Sequence, residues 1–138
     1  MSSIVQTQTT SFKRELYQAI HNLTTDVLKI ALYTASADLN EATTAYSTSN
    51  EVTGTGYVAG GVTLTGVTVS SSGYTAYVDF ANVVFGAAVT ARCALIYNSS
   101  KANRSIAVLD FGSDKTSANF TITMPSNDAS SALIRSSN

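Results

Sequence analysis

At 138 residues the chain is sized for one domain and can bury a core without disulfide support. Charged residues make up 12%, about half the usual share, with a net charge of −1 and a pI near 5.6, which excludes a basic nucleic-acid footprint. Ser, Thr, Asn and Ala replace the missing charge; the 44% hydrophobic content argues against disorder, and the low net charge favours self-association, so a homo-oligomer is expected.

Residues 1–10 (MSSIVQTQTT) are polar and β-leaning, without helical periodicity, and read as an extended N-terminal arm or a frayed end that the fold is expected to spare. They contain no apolar stretch of signal-peptide type, and no apolar run approaches the roughly 18 residues of a membrane span. A soluble chain made in the cytoplasm, with no membrane partner, is therefore expected. Residues 11–138 read as a single β-rich domain. Phe12, Leu16, Ile20 and Leu23 fall on one helical face, which predicts a short helix over about residues 11–22, capped by Thr10 or Ser11. Lys13 and Arg14 lie unfavourably near its positive end, so this helix must depend on packing.

Val27 to Thr34 (VLKIALYT) is apolar on both faces and suits a central strand. Residues 35–61 form a long polar excursion, either functional or holding short strands. In Val62 to Val69 the apolar positions are even before Gly66 and odd after it, which predicts a β-bulge or sharp bend at Gly66. Tyr74, Ala76, Val78 and Phe80 share one face of the next strand, and Val89, Ala91, Cys93, Leu95 and Tyr97 share one face of another. Ser105 to Phe111, Phe120 to Met124 and the short Ala132 to Arg135 complete the set. The fold class is mainly β, an antiparallel β-sandwich or partly closed barrel with one short N-terminal helix.

Several motifs invite a chemical reading. The stretch GTGYVAGG (54–61) has the form of a dinucleotide loop, but it follows a polar segment and precedes a strand, with no helix to receive a pyrophosphate. Its glycines read as turn chemistry. Asp110-Phe111-Gly112 imitates a kinase triplet without the other kinase motifs and reads as a strand running into a glycine turn. His21 is the only histidine, expected near the helix end and partly exposed; it has no ligand spacing with Cys93, the only cysteine, which falls among apolar strand positions and reads as a core thiol. No nucleophile elbow is present, and Asp38, Glu41, Glu51 and Asp79 cannot be placed at a glycosidase separation from sequence. Four glycosylation-type sequons, at Asn22, Asn98, Asn103 and Asn119, carry little weight in a chain so rich in Asn, Ser and Thr. The residues therefore predict no catalytic, cofactor-binding or metal-binding site, no cofactor, and no enzymatic activity.

Charge distribution leaves two readings open. No basic residue occurs between Lys29 and Arg92, whereas Arg92, Lys101, Arg104, Lys115 and Arg135 crowd the last third. This is either chance in a charge-poor chain or a polarity by which copies meet acidic face to basic face.

Three blocks, SFKRELYQAIHNLTTDVLKIALYTASADLNEATTAYSTSNEV, GTGYVAGGVTLTGVTVS and TARCALIYNSSKANRSIAVLDFGSDKTSANFTITMP, together resemble a family of small structural proteins of tailed bacteriophages. The resemblance spans about residues 11–125; Arg92-Cys93 departs from it, where the family pattern has a small residue. It implies a non-enzymatic virion protein. A capsid decoration (cement) protein on the major capsid protein lattice is the favoured placement, with residues 1–10 reaching across a seam. A neck or tail component, forming a ring or anchoring a fibre, is the alternative, and the charge asymmetry suits head-to-tail contacts. A carbohydrate-binding host-recognition module, using Tyr46, Tyr57, Tyr74 and Tyr77 as stacking surfaces, is a reading of another class.

Overall fold

A computed structural model describes residues 4–137. It is mainly β, with antiparallel sheets, one helix and no closed barrel among the described residues. A five-stranded sheet runs in the order β1 (Thr7–Gln8), β8 (Arg104–Ser117), β7 (Val89–Asn98), β2 (Leu28–Tyr33), β3 (Val62–Thr63). A three-stranded sheet has the order β10 (Ile134–Ser137), β5 (Thr75–Asp79), β4 (Thr68–Ser72), and β6 (Val83–Val84) pairs with β9 (Thr121–Ile122).

The run LKIALY forms a central strand because both of its faces are covered. Leu28, Ile30 and Leu32 enter the main core with Phe80, Phe85, Phe120 and Ile134 from the smaller sheets and their connections. Ala31 and Tyr33 enter a second core with Ala37 and Leu39 of the 35–61 excursion. That excursion forms no named strand. It is a covering layer, held by single bridges such as Tyr33 to Glu51 and Thr55 to Ala88 and by Tyr46 stacked on Tyr97 at 4.6 Å.

Gly66 is where the chain leaves one sheet for the other, between β3 and β4. Its φ of +62° and the closeness of Ala81, 2.8 Å from where a Cβ would stand, require glycine. The phase change in the sequence is thus a sharp bend. The alternation expected along 89–97 is broken as well, and here the expectation is corrected. Register shifts between Ala91 and Cys93, so Val89 and Ala91 face the main core while Cys93, Leu95 and Tyr97 face the second. Ala94 and Ile96 take over the main-core side. A second shift leaves Ile106 as an extra residue in β8. Nor does the DFG triplet end its strand: β8 continues to Ser117, and Gly112 (φ +83°) is a kink within it.

The helix, α1 (Thr10–Tyr17), is shorter than its periodicity predicts, and its cap is Thr9, whose hydroxyl accepts from the Phe12 N–H at 3.3 Å. It stops because Ala19 turns left-handed (φ +59°), the Ala19 N–H bonds to Leu16 O, and the Ile20 N–H reaches back to Glu15 O. That is a Schellman ending with alanine where glycine is usual. Residues 1–3 of the expected arm lie outside the described residues. Its remainder is extended but docked: Thr7 and Gln8 pair with Val108 and Ala107, the Val5 N–H bonds to Leu39 O, and Thr9 is fully buried. Residues 4–9 are thus docked against the rest of the domain, and Thr10 already belongs to α1.

Candidate functional site

The end of α1, the loop after it and the β7–β8 turn bring together a group of enclosed polar side chains. Glu15 is buried on the inner face of the helix, and its Oε1 lies 2.8 Å from His21 Nε2 while its Oε2 accepts from Arg104 at 2.9 Å. The loop carries His21 back over Phe12, with ring centroids 5.1 Å apart. Asn98, at the end of β7, fixes the rest. Its Oδ1 accepts from the Ser100 N–H at 3.0 Å, so its amide nitrogen must face His21 Nδ1 (3.0 Å) and Asp26 Oδ2 (2.8 Å). An amide N–H donating to Nδ1 makes that nitrogen an acceptor, and the His21 proton sits on Nε2, donated to Glu15. Asp26 also accepts from Lys101 Nζ and from the Asn22 N–H, both at 2.9 Å.

The electrostatics follow from this wiring. Burial by itself would raise the Glu15 carboxyl, but hydrogen bonds from His21 and Arg104 outweigh it and hold the group below its ordinary value. Asp26 is likewise opposed by burial, yet donors from Asn22, Asn98 and Lys101 bring it down to about 2. A histidine oriented by a carboxylate is the base half of a hydrolytic triad. Here the His21 side chain is fully enclosed and both ring nitrogens are occupied, so neither nitrogen is open to a substrate. The expectation of a partly exposed His21 is corrected. The signal missed in the sequence is the partnership with Glu15 and Asn98, the latter 77 residues away.

A second cluster explains GTGYVAGG. The Glu51 carboxylate accepts from the Tyr46 hydroxyl (2.6 Å), the Tyr57 hydroxyl (2.5 Å) and the Gly60 N–H (2.8 Å). Tyr97 donates to Gly60 O at 2.7 Å, and the Leu32 N–H donates to the Tyr57 oxygen. Gly61 lies against β2 so closely that a Cβ would stand 1.8 Å from Ile30 O, at a φ of +79°. Main-chain groups at Gly54, Thr55, Tyr57, Val58, Gly60 and Gly61 are thus spent on the protein itself. Burial, and then the Glu51 carboxylate, push the Tyr57 hydroxyl far above its usual range.

The remaining sequence candidates fall apart in space or are absorbed. Cys93 is fully buried, and burial pushes its thiol up to about 12. Of the four tyrosines considered for sugar stacking, Tyr46 and Tyr57 are committed to Glu51, whereas Tyr74 stands 88% exposed. Three basic residues of the last third are paired internally: Arg92 with Asp110, Lys101 with Asp26, Arg104 with Glu15. Among the described residues, no three His, Cys, Asp or Glu side chains cluster as a metal site would require. No described helix is long and apolar enough to cross a membrane.

Comparison with protein-family models, curated proteins and solved structures finds no match for the chain.

Proposed function

We propose that this chain is a non-enzymatic structural protein of a tailed-phage virion, a capsid decoration protein that binds the major capsid protein lattice. The virion class is supported by the three sequence blocks described above. The non-enzymatic part is supported by one observation, the complete enclosure of the sole histidine with both ring nitrogens engaged. A surface rich in uncharged Ser and Thr, as along the exposed β4 where Val69 is the one apolar residue, suits broad polar contacts better than electrostatic steering.

The charge polarity that favours a head-to-tail ring loses force, because Arg92, Lys101 and Arg104 are spent within the molecule. Decoration therefore stands ahead of a neck or tail role. Copy number per purified particle tests the choice. Hundreds of copies fit decoration, whereas a number between about six and a few dozen, as ring symmetry would give, rejects it for the neck or tail. Binding of the isolated protein to host polysaccharide would replace both with host recognition.

A further inference from the structure

We propose that Asp79 is a proton-held latch for the C-terminal segment: residues 126–137 stay docked while its carboxyl is neutral and are released when it ionises. The inference does not depend on the virion reading.

Asp79 closes β5 and is 2% exposed. The register of β10 on β5, Ile134 opposite Val78, brings Leu133 opposite Asp79. Its Oδ1 accepts from the Phe80 N–H at 2.9 Å, at the end of the strand on which Ile134 of the docked segment is paired. Oδ2 is buried with no hydrogen-bond partner, alone in this among the described side chains. A buried carboxylate oxygen without a donor is costly, whereas a carboxylic acid can place its proton there.

The charges around it press the same way. From β4 the neighbour is Thr68, whose hydroxyl makes a long contact, 3.5 Å, with the Asp79 main-chain oxygen. Tyr77 and Arg135 lie on the same sheet face, but the Arg135 guanidinium donates to Ser130 O. Asp128, the other acid, belongs to the segment itself, where its Oδ1 caps a turn through the Ser130 and Ser131 N–H groups. Burial first, and the Asp128 charge in addition, push the Asp79 carboxyl above its ordinary value. The apolar anchors of the segment are few, chiefly Ala132 and Ile134.

Hydrogen exchange of the full chain at pH 4 and pH 8, corrected for intrinsic exchange rates, tests the latch. Protection of residues 126–137 should fall as pH rises, by at most about tenfold per unit, while β2 and β7 keep theirs. Asp79→Asn should abolish that fall. A flat wild-type response, or an unchanged response in Asp79→Asn, overturns the proposal. If Asp79→Asn fails to fold, Asp128→Asn decides: it should lose less protection than wild type over the same range, and an equal or larger loss overturns the latch.

Discussion

Glu15 and Asp79 are both carboxyls withdrawn from water, and they differ in what meets the second oxygen. Glu15 has a donor for each, from His21 and Arg104. Asp79 has one main-chain donor, the Phe80 N–H, on Oδ1 and none on Oδ2. Equal burial therefore has opposite consequences. The first carboxyl is held ionised and the second is pushed towards the neutral acid. Desolvation alone does not set the state of a buried acid; the number of donors aimed at it does.

Isosteric amides offer the sharpest way to break this comparison. Glu15→Gln sets an amide nitrogen against either His21 or Arg104 and leaves one of them without an acceptor. It should cost about 3 kcal/mol at neutral pH, read from a urea midpoint at unchanged slope. A loss under about 0.5 kcal/mol would mean the wiring is incidental.

The next effect appears in acid. Asp26 is held at about 2 against 3.8 for the free group, and Glu15 is lowered too. Their stabilisation is complete above the free values and disappears as pH falls through the lowered ones. Unfolding curves between pH 5 and pH 2 should show a decline, of which Asp26→Asn removes about 1–2 kcal/mol. For Asp79 the sign reverses, since its folded value is raised: stability is greatest in acid and falls as pH rises through that value. Asp79→Asn should thus stabilise by about 1 kcal/mol at pH 7, with the gain vanishing in strong acid where both forms are neutral. Destabilisation at pH 7 would count against a costly buried carboxylate at this position. The smallest effect concerns the turn that delivers His21. Ala19→Gly relieves the left-handed alanine and should add about 0.5 kcal/mol, visible in thermal unfolding, without altering the acid profile.

Much of the fold could be read from residue patterns, and the reasons are local. VLKIALYT reads as a central strand because burial on both faces removes alternation, and Gly66 betrays its bend because alternation changes phase there. The helix is overextended because Ile20 and Leu23 keep its period after Ala19 has ended it, and alanine gives no sign of a left-handed turn. Along β7 the irregularity at Arg92 is unmarked in its own strand, and the glycine that accompanies it, Gly112, lies in the facing stretch of β8. The polar networks were hidden for a different reason. Glu15, His21 and Asp26 share the stretch 15–26, but Asn98 lies more than 70 residues away, and the pairing of β7 with β2 and β8 brings it to them. Asn98 looked like part of a sequon. Glu51 sat in a polar run where nothing distinguished it from Glu41.

The Glu51 cluster has a further consequence, for the way the 35–61 segment acquires its shape. Its bonds to Tyr46, Tyr57 and Gly60 span five, six and nine residues. Each closes a small ring of chain, so the entropy of ordering a long polar stretch is met in short steps instead of one wide closure. Such a stretch can gather around a single carboxylate before it meets the sheet and arrive as a preformed unit.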